Sequence, residues 1–404
     1  MRIGVLTYYR VANFGANLQA VSTYKYLERM GHEPIFIHYM SRQLYNSTDG
    51  CYDENAQIKC HLDFIDSVIK RQTETCFTAE EVNNAIKKYC IDAIIVGSDA
   101  VLQHHPFLSR IYFPGNGIRR RLYIDPVNDE RLYPNLFWGE GISKDVKRAL
   151  MSVSSQNSAY RLFGPCLKRG MKKALNDFTF ISVRDTWTRD MVKSITGVNV
   201  PITPDPVFAF NENASDLIPE KKVIIDKFNL PDDYVLVSFL NVGIPASSIS
   251  GLKTLFKEKH CVAFPTPMGV RFKHNFDYNI PLPLNPIDWY ALIKYSQAYI
   301  GNNMHPIVVA LSNGVPCFSV DNYSNYNILR NPVNDGASKI FDLLKKCGLL
   351  QNHIVPSNNN VSGLENRIVE SISSFPKTKI QAFSQDMLKQ YNVMMDEILK
   401  SFEL

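Results

Sequence analysis

Apolar positions along the chain fall into short unbroken runs that alternate with stretches of helical spacing. Residues 3–7 form a β-rich run. From Gly15 to Met30 the apolar residues Leu18, Val21, Tyr24 and Leu27 recur every three positions, as one face of a helix requires. Gly31 predicts the helix stop, and residues 34–38 a second strand. Strand, helix and strand in this order imply a parallel pair joined by a right-handed crossover. Residues 91–96 are continuously apolar, as in a strand buried on both faces, and end in Gly97-Ser98-Asp99.

The pattern then weakens. Residues 41–80 are polar apart from a helical patch at 62–69 and read as an insertion; residues 102–152, rich in Pro, Tyr, Arg and Asn, read as long loops. A helix at 167–176 and a strand at 178–183, ending in Arg184-Asp185, close the first half. The polar segment 211–230 is the expected boundary. Beyond it the spacing predicts strands at 234–240, 261–264, 298–300 and 315–320, with helices at 251–259, 287–296, 306–312 and 337–346. Phe383, Met387, Tyr391, Met394, Met395 and Ile398 lie on one face of a long amphipathic helix that must pack on something. The expected fold is α/β: two Rossmann-like doubly wound lobes, residues 1–212 and 213–375, facing a cleft, with an amphipathic helix over 376–404. Ligands of such sheets bind beyond the carboxyl ends of the strands, here in the cleft.

Of the 404 residues 45% are hydrophobic and 21% charged, which excludes a disordered or fibrous chain. No apolar run approaches the ~18 residues of a membrane span, and the first residues read as a strand rather than a signal segment, so an intracellular, cytoplasmic protein is expected. Net charge is +5, from 44 basic and 39 acidic residues, too small and scattered an excess for nucleic acid. The one dense cluster is Arg119-Arg120-Arg121 with Arg131 nearby: a solvated loop, or a contact for anionic lipid or a phosphorylated ligand. The eight cysteines have no CxxC spacing, several sit in apolar runs, and they read as reduced, partly buried thiols with no zinc site.

Candidate chemistry lies at the predicted strand ends. After the strand at 298–300 come Gly301, Asn302, Asn303, Met304, His305 and Pro306. Asn302 or Asn303 suits the helix N-cap and Pro306 its first turn. The remaining amides and the positive end of the dipole then form a site for a phosphate or carboxylate. His305 stands at its edge, either giving a proton to the anion or simply packing beside a capped helix. Asn13, Gly15, Asn17 and Gln19, at the first strand–helix turn, offer a close backbone and neutral groups that either suit sugar hydroxyls or serve the turn's own structure. Without a GxGxxG pattern, no dinucleotide is implied. Asp99, after Ser98, either handles a hydroxyl proton or caps a helix. Arg184 either grips a carboxylate or pairs with Asp185 or Asp205. Tyr112, Tyr123, Tyr133 and Trp138 either stack on sugars or join the core.

Taken in order, Asn13-Phe14-Gly15-Ala16-Asn17-Leu18-Gln19, Val96-Gly97-Ser98-Asp99, Ile181-Ser182-Val183-Arg184-Asp185, Asp205-Pro206-Val207 and His305 followed by Ala310-Leu311-Ser312-Asn313-Gly314-Val315-Pro316 resemble the motifs of the polysaccharide pyruvyl transferase family. The resemblance spans roughly residues 1–321. It implies a fold like the GT-B glycosyltransferases, phosphoenolpyruvate as donor, a glycan or lipid-linked sugar as acceptor, a pyruvate ketal as product, and no metal or cofactor. His305 is then the candidate acid. Gly301, Asn302, Asn303, Met304 and Arg184 fall on the donor side, with Asn13, Gly15, Asn17, Gln19, Ser98 and Asp99 on the acceptor side. A lipid-linked acceptor would bring contact with the inner face of a membrane. One position departs from the family pattern: Asn303 stands where an arginine usually precedes the histidine by two residues. Lys294, Arg271 and Lys273 are the candidates to supply the missing charge. The competing readings are a GT-B-type glycosyltransferase using a nucleotide sugar and a non-catalytic glycan- or phosphate-binding relative.

Overall fold

The computed structural model describes residues 1–113, 121–240, 244–256, 259–321, 325–326, 332–333, 336–356 and 361–403. Five strands build the first sheet: β1 (Arg2–Leu6), β2 (Glu33–Phe36), β3 (Ala93–Asp99), β4 (Lys147–Val153) and β5 (Phe180–Val183). They pair in the order β2-β1-β3-β4-β5, every pair parallel. A second parallel sheet contains β6 (Tyr234–Ser238), β7 (His260–Ala263), β8 (Tyr278–Asn279), β9 (Ala298–Gly301), β10 (Cys317–Val320) and β11 (His353–Ile354). Its order is β8-β7-β6-β9-β10-β11.

Chain order reverses between β1 and β3 in one sheet and between β6 and β9 in the other. Such reversals open a crevice at the carboxyl ends of the flanking strands. Asp99 sits at the end of β3, and Gly301 at the end of β9, so both crevices carry candidate residues.

Helices α1 (Phe14–Arg29), α2 (Ala56–Val68), α3 (Ala79–Lys88), α4 (Pro165–Asn176) and α5 (Thr186–Thr196) belong to the first half. Asn13 starts α1 by accepting hydrogen bonds from the amides of Gly15 and Ala16. Helix α1 is buried along nearly its whole length, because the other half packs against it. Later come α6 (Lys221–Phe228), α7 (Ala246–Leu255), α8 (Pro286–Tyr295), α9 (Met304–Ser312), α10 (Lys339–Lys346), α11 (Leu364–Ser373) and α12 (Lys377–Glu403). Helix α12 returns to the first sheet. Its Tyr391 meets Tyr26 edge-on at 5.4 Å, and the Lys147 Nζ donates to the Phe402 carbonyl at 2.9 Å. That is the partner its apolar face required.

Two expectations are corrected. The segment 102–152 is not all loop: it ends in β4, the strand next to β3. Leu150 and Met151 are fully buried there, worth roughly 1.5–3 kcal/mol each. Lys147 and Arg148 broke the apolar pattern, and Arg148 is buried because it reaches Asp177 at 3.0 Å. The segment 41–80 is no mere insertion, since α2 joins the halves: the Gln57 side chain donates to the Leu284 carbonyl and accepts from its amide. The segment expected as the boundary, 211–230, holds α6, which buries Ile224.

Candidate active site

The turn after β9 is shaped by packing before it is shaped by chemistry. A Cβ on Gly301 would lie 2.2 Å from the Tyr299 hydroxyl and 2.6 Å from the Ser238 carbonyl, so only glycine fits. Asn302 is fully buried. Its amide group exchanges two hydrogen bonds with the backbone of Leu240, each 3.2 Å, and so locks together the loops after β6 and β9. Neither residue lines the cleft, which corrects their assignment to the donor side. Asn303 occupies the N-cap of α9, but its side chain caps none of the helix amides, contrary to the capping role expected of it or Asn302. Asn303, Met304, His305 and Pro306 all border the cleft, so the positive end of α9 faces it without a side-chain cap.

His305 is wedged across the lobes. A Cβ built on Gly15 would fall 2.0 Å from His305 Cγ, so the first-lobe turn must carry glycine for the imidazole to lie flat against its backbone. On its other side Nε2 stands 3.7 Å from Asp205 Oδ2. Burial pushes the imidazole below its ordinary pKa despite the pull of Asp205, with Arg184 adding to the depression. Burial thus favours the neutral form of the imidazole in the resting site.

Asp205 is the hub beneath it, 1% exposed at the side chain. It accepts from Arg184 Nη1 at 2.6 Å, from Gln19 Nε2 at 2.6 Å and, through Oδ1, from the Val207 amide at 3.0 Å. Burial disfavours its ionised form, but Arg184 and then His305 outweigh that and hold the carboxyl below the usual range. Arg184 lies between Asp205 and Asp99, whose Oδ1 is 3.9 Å from Nη2. Its partner is thus Asp205 rather than Asp185, which instead caps α5 through the Thr188 amide. Arg184 does line the cleft.

Lys339, the first residue of α10, completes the group. A lysine at the positive end of a helix is unfavourably placed. Among the described residues no carboxylate comes within ion-pair distance of it. Burial, then the neighbouring Arg184, pushes its pKa down to about 8. A half-buried cation with so perturbed a pKa, lining a cleft, marks a candidate functional residue. By contrast, Lys294 bonds Asn211 at 2.9 Å, and neither it nor Arg271 or Lys273 lines the cleft. The cations that act on His305 are instead Arg184 and Lys339. Sequence reading missed Lys339 because α10 reads as an ordinary amphipathic helix; missing a buried Asp205 as the hub has a simpler cause, since the side chains that bond it, Arg184 and Gln19, are 21 and 186 positions away.

The first lobe contributes less than its motif promised. Asn13, Gly15 and Asp99 line the cleft. Asn17 and Gln19 do not, and their expected acceptor contacts are corrected. Asn17 donates to the carbonyls of Tyr9 and Val11 and accepts from His61, while Gln19 is spent on Asp205 and Ser98. Ser98 is buried and donates to the Ser152 carbonyl. Asp99 has φ +99, a strained conformation of the kind that collects at functional sites at a cost of ~1–3 kcal/mol. Tyr8, Gln103, Asn128, Gln156 and Asn157 are further polar residues lining the same cavity. The floor is aromatic: Phe14 stacks on Trp289 at 5.0 Å, and Trp289 on Phe264 at 5.9 Å. Trp138 and Tyr133 pack on one another in the core instead of lining this space. The whole cavity measures about 770 Å³.

Two parallel-sheet lobes facing a cleft, with the last helix crossing back to the first lobe, define a GT-B fold. Solved structures bear this out. The UDP-GlcNAc 2-epimerase of Neisseria meningitidis superposes with TM-score 0.54 at 9% identity, over 99% of this chain and 100% of that one. UGT89C1 of Arabidopsis thaliana, complexed with UDP, gives 0.52 at 9% identity over 99% of both chains. A glycosyltransferase from Rickettsia africae gives 0.50 at 11% identity over 100% and 97%. No curated protein matches by sequence. Within that fold the chain belongs to the polysaccharide pyruvyl transferase family, whose model matches residues 13–325. Lys339 lies outside the matched segment.

Proposed function

We propose that the protein transfers the pyruvyl group of phosphoenolpyruvate to two hydroxyls of a sugar in a cell-surface polysaccharide or its lipid-linked precursor, forming a ketal. Family membership supports this. So does one observation in this chain: a single cavity collects an imidazole, an ammonium with no carboxylate at ion-pair distance among the described residues, and a helix start with no side-chain cap. Phosphoenolpyruvate carries a phosphate and a carboxylate, and each needs such partners.

Lys339 and the start of α9 receive the two anionic groups, with Arg184 held nearby by Asp205. Bound negative charge favours the protonated imidazole, so His305 becomes an acid only when the donor is present. It gives its proton to the methylene carbon while the first sugar hydroxyl adds to the neighbouring carbon, its own proton passing to Asp99. The bond from that carbon to the phosphate oxygen then breaks. Phosphate leaves, and the second hydroxyl closes the ketal, releasing its proton to a base or to water.

The test is direct. Phosphoenolpyruvate, and not UDP, is expected to raise the melting temperature, and phosphate release is expected when a suitable acceptor is added. His305→Ala should lower turnover ~10²–10⁴-fold, the usual worth of a positioned acid, while phosphoenolpyruvate still stabilises the fold. Stabilisation by UDP alone would favour the nucleotide-sugar reading. Donor binding without phosphate release across acceptors would leave a binding protein.

A further inference from the structure

Away from the cleft floor, one part of the first lobe carries large apolar side chains into solvent. The short helix Phe107–Arg110 runs into strand Ile111–Tyr112, which pairs antiparallel with Tyr123–Ile124. Tyr112 and Tyr123 stack at 5.7 Å, and Arg110 donates to the Asp125 carbonyl at 3.4 Å, fixing the hairpin's base. On this small scaffold Phe107, Leu108, Leu122, Tyr123 and Ile124 are 54%, 68%, 57%, 54% and 44% exposed. Five such residues crowd one short unit, beyond the single exposed residues normal on a surface.

The charge is as one-sided as the hydrophobicity. Residues 107–124 contain four arginines, Arg110, Arg119, Arg120 and Arg121, and no lysine, aspartate or glutamate. Of the arginines, Arg119 and Arg120 lie outside the described residues, whereas Arg121 directly precedes the exposed Leu122. Apolar side chains flanked by arginine, with no acidic residue among them, match the headgroup boundary of an anionic bilayer: rings and aliphatic chains enter the acyl region while guanidinium groups meet lipid phosphate. The hairpin is also joined to the site at both ends, since Gln103 before it and Asn128 after it line the cleft.

We propose that this hairpin is a peripheral membrane contact, which seats the first lobe on an anionic bilayer with the mouth of the cleft at the lipid surface. The proposal goes beyond the donor chemistry and does not depend on it.

The experiment is co-sedimentation of the full-length protein, without substrate, with vesicles of phosphatidylcholine alone or mixed with phosphatidylglycerol. Binding to the anionic vesicles, weakened by salt, is expected. Arg121→Gln should weaken it about fivefold, as loss of one arginine near such a surface does. The double variant Leu108→Ser/Ile124→Ser should weaken it at least tenfold. These side chains are exposed, so melting temperatures should stay at the wild-type value and confirm intact folds. No binding to anionic vesicles, or equal binding by wild type and both variants, overturns the proposal. So does a wild-type dimer in light scattering that Leu108→Ser/Ile124→Ser converts to monomer, which would assign the face to a second copy. Phosphoenolpyruvate-induced stabilisation measured on the same samples reports separately on the proposed transferase activity.

Discussion

Replacing Lys339 isolates the electrostatic core of the site. Its ammonium is half-buried, has no carboxylate within ion-pair distance among the described residues, and lines the same cavity as His305. A hydrogen bond to a charged group contributes ~1.5–3 kcal/mol, so Lys339→Met should weaken phosphoenolpyruvate binding roughly 10–150-fold. The pH dependence carries the sharper signature. With the pKa lowered to about 8, the free site is about nine-tenths protonated at pH 7 and about one-tenth at pH 9. Donor affinity is therefore complete below that pKa and falls as pH rises through it. Lys339→Arg should keep affinity and flatten the fall, while Lys339→Met should lose both affinity and slope. Stability moves the other way. A lysine whose folded pKa is depressed penalises the fold at neutral pH, and the penalty fades as pH climbs from about 8 toward the ordinary lysine value. Lys339→Met should therefore melt higher than wild type at neutral pH, by a margin that shrinks in alkali. Calorimetric titration with phosphoenolpyruvate across this range, beside thermal melts, provides both readouts. Wild-type affinity and an unchanged pH slope in Lys339→Met would refute the assignment.

Two further substitutions probe the scaffold behind it. Asp205→Asn leaves the buried Arg184 guanidinium with only the 3.9 Å contact to Asp99; removing one partner of such a pair costs ~3–5 kcal/mol, and denaturant melts should show a loss of that order. Gly15→Ala puts a methyl group onto the His305 ring, where the space is 2.0 Å. It should cut phosphate release far more than it weakens phosphoenolpyruvate binding, because the imidazole must turn away while the helix start stays in place. Equal losses in both would argue that His305 only helps to hold the donor.

Much of the architecture was legible in the chain because local periodicity encodes it. Helix α1, strand β3 and helix α12 each bury a face or a run that repeats at a fixed spacing, and that spacing survives without a partner in view. Strand β4 was hidden because its buried Arg148 is satisfied by Asp177, a pairing no local pattern announces. By its spacing the motif at the first turn reads equally as structure or as a row of ligands. Its Asn17 and Gln19 are instead consumed inside the protein, by backbone carbonyls and by Asp205, and a sequence does not show which polar groups are already satisfied.

Local spacing thus determined the two sheets, the return of an amphipathic helix and the choice of His305 beside a helix start. Tertiary structure alone decided which charges meet at that histidine. Arg184, Asp205, Gly15 and Lys339 come from loops and helix starts far apart in the chain, and their effect on one another depends on distance and burial. Both quantities come into being only when the lobes close on each other.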